Sequence, residues 1–353
     1  MKIVVLAGGI STERQVSLVS GTEVCKALRE NGNEAILVDL FMGLPGWEGR
    51  YDEAFAQEDG FCGTYSISSE APDLDAIRAQ RGGNPNCRIG PGVLELCQNA
   101  DLVFLGLHGA DGEDGRVQAM LELYGIPYTG SGPLGSAMAM DKAVTKRIME
   151  QHGIRTPGWQ ELSITEEEIP ALAQSLPMPC VVKTPEGGSS IGVMMPESRE
   201  ELENALKEIV KFDSRIIVEE KIVGRELAAG VLNGMKLPAV EIIPQEGTYF
   251  DYASKYQSSE NGGAREVCPA PITAEQAEVA GEMALKLHNA LGLSVYSRAD
   301  LILDANGDFW CLEINTLPGM TPASLLPKAA AVHGVPYNNL CQMIAELSLQ
   351  VKR

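Results

Sequence analysis

Residues 3 to 40 read as one supersecondary unit, and that unit limits the architectures open to the chain. Ile3 to Ala7 is an unbroken apolar run, the pattern of a strand covered on both faces. Gly8-Gly9 interrupts it. From Ser11 an amphipathic helix runs to about Asn31, and Gly32 suits its C-cap. A second apolar run, Ala35 to Leu40, completes a βαβ-like start. The first sheet is therefore expected to be mainly parallel and the fold class α/β. Another buried strand, Asp101 to Leu107, runs straight into His108-Gly109. Ligands gather beyond the carboxyl ends of such strands, so the Gly8-Gly9 turn and the His108 loop are candidate site walls. Residues from about 42 to 90 are rich in Gly, Pro and acidic residues, with weak periodicity, and read as an irregular insertion.

With 353 residues, 44% of them hydrophobic, the chain can bury a large core and is long enough for two or three domains. It carries 48 acidic against 28 basic residues, a net charge of −20. There is no basic excess or stripe, so a nucleic-acid partner is not expected. The first apolar run is too short for a secretory signal. No stretch reaches the roughly 18 apolar residues of a membrane span, so no membrane association is expected. The eight cysteines are scattered without a CxxC pair and suit reduced thiols in the cytoplasm. Four dispersed histidines offer no zinc-ligand spacing.

A second unit is expected from about Leu134. Strands Cys180 to Lys183 and Ile191 to Met194 flank TPEGGSS, and another strand, Arg215 to Glu219, follows. The loop is no Walker sequence, and by itself it fits an ordinary hairpin turn as well as a phosphate cradle. Lys183, at a strand end, and the amides of Gly187 to Ser190 favour an anion there. A third unit, from near Gly224, alternates strands (Leu227 to Leu232, Ala239 to Ile243, Ala299 to Leu303, Phe309 to Ile314) with helices (about Ala274 to Leu291, and Ser324 to His333). Glu313 and Asn315, two apart, share one face at the end of the last strand. If Ala299 to Leu303 lies beside it, Asp300 joins them. Two carboxylates and an amide oxygen suit Mg²⁺, but the residues alone fit a structural cluster equally well. Arg298 and Asp300 alone would also fit a surface ion pair on an edge strand.

The segments GGISTERQVSLVSG (8–21), LHGADGEDGRVQ (107–118), IPYTGSGPLGSAMAMDKAVTK (126–146), VVKTPEGGSSIGV (181–193), VEEKIVGRELAAGV (218–231), FDYASKY (250–256), SRADLIL (297–303) and LEINTLPGMTPASLLP (312–327) together resemble the D-alanine–D-alanine ligase family of ATP-grasp ligases over essentially the whole chain. The resemblance implies an N-terminal Rossmann-like parallel sheet (1–133, with the insertion at about 42–90), a central ATP-grasp subdomain (134–223) and a C-terminal one (224–353) carrying metal and substrate sites. It implies that ATP joins two D-alanines through an acyl phosphate, for peptidoglycan precursor synthesis in the cytoplasm, in a homodimer. Two Mg²⁺ or Mn²⁺ ions would accompany ATP, on Asp300, Glu313 and Asn315. Lys142 and Lys183 match lysines on the α- and β-phosphates, Lys255 one on the transferred phosphoryl group, and Arg298 the arginine at the developing oxyanion. Glu219 and the backbone near Ile222 match adenine contacts, and Glu226 matches a ribose contact.

Glu13 resembles the residue that holds the first ammonium group. By itself, Ser11-x-Glu13 reads as helix capping. Ser189 and Tyr256 would hydrogen-bond to Glu13 and close a lid that keeps water from the acyl phosphate. Gly319, Ser324 and Leu325 would receive the second D-alanine at a helix N-terminus, with His108 nearby. The insertion is expected to take no part in catalysis. The lid segment 257–271 is longer and richer in glycine than the family pattern, which bears on the second substrate. D-lactate or D-serine are the rival second substrates. A nucleotide-binding module without ligase activity would have no need of Arg298 beside Asp300, Glu313 and Asn315. A dinucleotide-binding dehydrogenase lacks its glycine fingerprint here.

Overall fold

The computed structural model of the chain describes residues 1–47, 49–68, 72–81, 83–84, 86–187, 192–244 and 263–353. The N-terminal unit follows the expected course. Strand β1 (Lys2–Ala7) is buried from Ile3 onward, helix α1 (Arg14–Glu30) crosses over, and β2 (Glu34–Asp39) returns parallel to β1, with Ile3 opposite Ala35. The turn between β1 and α1 needs its glycines. Gly8 has φ +72°, and a Cβ there would lie 2.7 Å from the Asp39 carboxyl group. Asp39 in turn pairs with Arg14, which fixes the first turn of α1.

The insertion is more ordered than its composition suggests. It carries α2 (Tyr51–Phe55) and α3 (Leu74–Arg81). Ala54 and Phe55 join the same core as Ile3 and Ile36, and Leu37 N–H donates to Gly60 O at 2.8 Å. A five-residue helix is too short to show a helical period, so its place in the core could not be read locally. Helix α4 (Val93–Gln98) then leads to β3 (Leu102–Leu105), parallel to β1 on its other side, giving the order β2–β1–β3. β3 is shorter than expected, so Leu107 and His108 lie on the loop beyond its carboxyl end. Helix α5 (Arg116–Leu123) follows.

Helices α6 (Pro133–Met140) and α7 (Lys142–Gln151) lead into the central sheet. That sheet contains β4 (Trp159–Ser163), β5 (Cys180–Lys183), β6 (Val193–Met194) and β7 (Arg215–Glu220), in the antiparallel order β4–β7–β5–β6. Helices α8 (Ile169–Ser175) and α9 (Arg199–Ile209) cover it, burying Ile169, Leu202 and Leu206 with Val182 and Val218.

The third sheet uses β8 (Gly224–Leu232), β9 (Met235–Lys236), β10 (Val240–Ile243), β11 (Arg265–Val267), β12 (Tyr296–Asp304) and β13 (Phe309–Asn315). Its order is β11–β10–β8–β12–β13, with β9 on β8 and every pairing antiparallel. Helix α10 (Ala274–Ala290) packs Ala280, Ala284 and Leu287 onto it. Helix α11 (Leu325–Val332) follows the sheet, and α12 (Tyr337–Ser348) returns to α1. Leu340, Cys341 and Ile344 of α12 share one core with Val24 and Leu28 of α1.

Candidate active site

Strands β12 and β13 place Arg298 opposite Asn315 and Asp300 opposite Glu313. All four side chains face one side of the sheet. The reason is a register slip between Asp300 and Leu301. Cys311 and Ile314 are both buried although three residues apart, and between them Leu312 and Glu313 are both half-exposed. An extra residue in β13 resets the alternation, as a β-bulge does. Without it, Glu313 would share the core-facing side with Cys311. The edge-strand reading of Arg298 and Asp300 is overturned: β12 lies between β8 and β13.

Arg298 holds Asp300 with two parallel bonds, Nε to Oδ1 at 2.7 Å and Nη2 to Oδ2 at 2.9 Å. Asn315 Nδ2 donates to Asp300 Oδ2 at 3.3 Å. Lys142 Nζ reaches to 3.6 Å from Glu313 Oε2 and donates to Gly187 O at 2.6 Å. The arginine fork fixes Asp300 in orientation as well as in charge. Two carboxylates placed directly opposite repel each other unless cations lie close. Among the described residues no group of three His, Cys, Asp and Glu side chains lies close enough to hold a metal. The donors at hand are two carboxylates and an amide. Turned about its terminal bond, Asn315 offers an oxygen instead of its N–H. That set fits Mg²⁺, which takes one or two carboxylates and fills its remaining positions with phosphate oxygens and water.

A second charge cluster lies on the central sheet. Lys183, at the end of β5, donates to Glu219 Oε1 at 2.6 Å, and Lys146 of α7 lies 2.7 Å from Glu219 Oε2. Burial by itself would push the Glu219 carboxyl group up, but the two lysines outweigh it and hold its pKa below the usual carboxylate range. Burial, with Lys183 as neighbour, draws the Lys146 ammonium down. Helix α7 is aimed by its cap. Asp141 Oδ1 accepts from Val144 N–H at 3.0 Å, and Oδ2 pairs with Arg215 at 2.7 Å. Ile222 lies in the link from β7 to β8, and Glu226 is on β8 opposite Ile302.

The third cluster joins the N- and C-terminal units. Glu13 is the N-cap of α1 by position, yet its side chain makes no capping bond, so the expected capping falls to Ser11 alone. Ser11 Oγ instead accepts from Glu13 N–H at 3.3 Å and donates to His108 O at 2.8 Å. Glu13 is buried, and a Cβ on Gly109 would lie 2.7 Å from its Oε2. His108 Nε2 is 3.3 Å from Ser20 Oγ, and burial lowers its imidazole pKa despite the nearby Glu13. Glu113 Oε2 accepts from Gly109 N–H at 2.7 Å. Burial first, then the charge of Glu13, pushes the Glu113 carboxyl group up to about 8. Gly319 lies against Ser324, where any Cβ would come within 2.9 Å of the hydroxyl oxygen. Ser324 Oγ is 2.8 Å from Thr321 Oγ1 and is the N-cap residue of α11, with Leu325 first in the helix.

Thus Lys142, Arg298, Asp300, Glu313 and Asn315 meet at one place, Lys183 meets Glu219 at a second, and Glu13 and His108 meet at a third. Ser189, Lys255 and Tyr256 lie outside the described residues, as do residues 257–262 of the expected lid, whereas its remainder is described and contains β11. Lys146 and Glu113 were not anticipated. Their one signal was position: Lys146 follows Lys142 by four residues on one helix face, and Glu113 follows Gly109 by four in the same loop.

The chain matches the family model "D-ala D-ala ligase N-terminus" over residues 2–131 and "D-ala D-ala ligase C-terminus" over 148–346. It is 42% identical over 344 residues to a D-alanine–D-alanine ligase of Pediococcus pentosaceus, covering 98% of this chain and 96% of that one. It is 39% identical over 351 residues to that of Lacticaseibacillus casei, with 99% and 96% covered. Its fold is similar to the crystal structure of the Bacillus anthracis enzyme complexed with ATP, with TM-score 0.72, 32% identity and 99% and 97% coverage. It is also similar to the Coxiella burnetii enzyme, with TM-score 0.73, 26% identity and 99% and 94% coverage. The chain belongs to the D-alanine–D-alanine ligase family.

Proposed function

We propose that this chain joins two D-alanines to D-alanyl-D-alanine, converting ATP to ADP and phosphate. The observation that carries the reading is the cross-strand square of Arg298, Asp300, Glu313 and Asn315 with Lys142 reaching its edge. With divalent cations on its carboxylates, such a square would let a substrate carboxylate and a triphosphate approach in spite of their charges. Mg²⁺ or Mn²⁺, two ions on Asp300, Glu313 and Asn315, would screen the phosphate oxygens.

The chain's own groups do the rest. Lys142, Lys183 and Lys255 orient the phosphates, while Glu219, Ile222 and Glu226 seat the nucleoside. Glu13 holds the ammonium group of the first D-alanine, so that its carboxylate meets the terminal phosphate. The second D-alanine rests on Gly319, Ser324 and Leu325, where the start of α11 favours its carboxylate and His108 stands nearby. Its amine displaces phosphate from the acyl phosphate, and Arg298 steadies the oxyanion that forms. Ser189 and Tyr256 would tie the lid to Glu13 and keep water out. A division at 1–133, 134–223 and 224–353 accords with the three sheets. A homodimer and a role in cytoplasmic peptidoglycan precursor synthesis follow from the family. No helix among the described residues is long and apolar enough to cross a membrane.

The test is phosphate release from ATP and Mg²⁺ with D-alanine alone, then with D-lactate or D-serine added, and products identified by mass. D-Ala–D-Ala as the main product supports the reading. A mixed product dominating at equal concentrations moves the second substrate to the rival. No D-alanine-dependent release overturns it.

A further inference from the structure

Among the described residues Lys146 is the most completely buried charged side chain. It is 0% exposed and sits one helical turn beyond Lys142 on α7. Its ammonium group is 2.7 Å from Glu219 Oε2 and donates to Thr156 Oγ1 at 2.7 Å, with the Trp159 ring centre 6.0 Å away. The other Glu219 oxygen accepts from Lys183 at 2.6 Å. Two ammonium groups and one carboxylate leave this buried group of three with one positive charge in excess. Burying charge is costly unless it is paired, so the excess calls for an anion. The two lysines differ in attachment. Lys146 stands on a helix and is also held by Thr156, whereas Lys183 is the last residue of its strand, next to the loop that the nucleotide phosphates would approach.

We propose that Lys146 is a positioning residue, the permanent counter-ion of Glu219, and that nucleotide binding transfers Lys183 from Glu219 to a phosphate. Resting on the ATP reading above, this gives Glu219 two separate tasks. Its Oε2 stays with Lys146. Its Oε1, released by Lys183, accepts a hydrogen bond from the exocyclic amine of adenine. Guanine would present a carbonyl oxygen at that point, and two acceptors repel. Lys146 therefore contributes to base selection without touching the base. Were Lys146 absent, Lys183 would be the only cation on a buried carboxylate. Moving it to phosphate would then strand that charge, and nucleotide affinity would fall.

The test compares Lys146→Met and Thr156→Val with the parent. The measurements are KM for ATP, GTP and D-alanine, kcat, and thermal midpoint. Lys146→Met should raise the ATP KM by about a hundredfold and shrink the preference for ATP over GTP, leaving the D-alanine KM within about twofold. Thr156→Val keeps the side-chain shape and loosens only one hydrogen bond, so it should raise the ATP KM by about tenfold. It carries the test alone if Lys146→Met does not fold. Variants with a lower thermal midpoint but the parent's ATP KM and base preference would make Lys146 a purely structural ion pair and overturn the proposal. A parent that prefers ATP while both variants do so equally leaves the ligase reading standing without this one. A parent inactive with ATP and D-alanine overturns both.

Discussion

At the scale of single residues, the site is a set of charges whose states depend on one another. Glu313 has no hydrophobic reason to stand in β13, and Asp300 faces it across the ladder. Glu313→Gln keeps the size and removes the charge. Turnover should fall by about a thousandfold or more while the far-ultraviolet circular dichroism stays unchanged, since a group that offsets phosphate charge acts mainly in the transition state. Near-parent phosphate release would remove Glu313 from the metal set. Glu113 makes a different prediction. Its carboxyl pKa rises from 4.5 to about 8 on folding. Between those values the folded chain holds a proton that the unfolded chain has lost, so stability falls as pH rises through that window. Glu113→Gln resembles the protonated form at every pH. The thermal midpoint of the variant minus that of the parent should therefore increase from pH 5 to pH 8.5. A difference that does not change with pH would refute the shift. Glu313, Asn315 and Lys183 were legible in the sequence because each interrupts an apolar pattern. Lys146 was not, because it lies within a helix whose polar residues look solvated, and only the fold brings Glu219 beneath it.

At the scale of elements, aim is set by small devices at the ends. The slip at Leu312 turns Glu313 toward the site, and no local signal announces it: the alternation of the strand reads the same with or without the extra residue. The paired strands were legible because their apolar runs are separated by only a short Asp304–Asp308 turn. Helix α7 starts at Lys142, so its N-cap decides where that ammonium group points. Asp141 caps it and also grips Arg215 on β7. Asp141→Ala should destabilise the chain by about 1–2 kcal/mol in urea unfolding and raise the KM for ATP several-fold. Asp141→Asn retains the cap and gives up the charge on Arg215, so it should recover most of the stability. Equal losses in the two variants would mean that the ion pair, not the cap, positions α7.

At the scale of the whole molecule, three sheets read from three stretches of sequence do not make three independent bodies. The segments that tie them carry little sequence signal. The insertion joins the N-terminal core through Ala54 and Phe55, and Arg88 from its end reaches 2.8 Å from the buried Asp111 beside the His108 loop. The last helix, α12, crosses back to α1, where Asn31 donates to Asn338 O at 2.7 Å and Asn33 to Gln342 at 2.7 Å. The first and last elements thus share one core, and the C-terminal half of α1 packs against residues more than 300 positions away. This coupling predicts how the chain unfolds. Ile344→Ala empties a fully buried position between α12 and α1 and should cost about 2–5 kcal/mol. If the N-terminal and C-terminal units unfold together, calorimetry of the variant will show one transition at a lower midpoint, and activity will be lost along that same curve. Two separated transitions, with only the earlier one shifted, would show instead that α12 stabilises the N-terminal unit alone and that the C-terminal sheet stands without it.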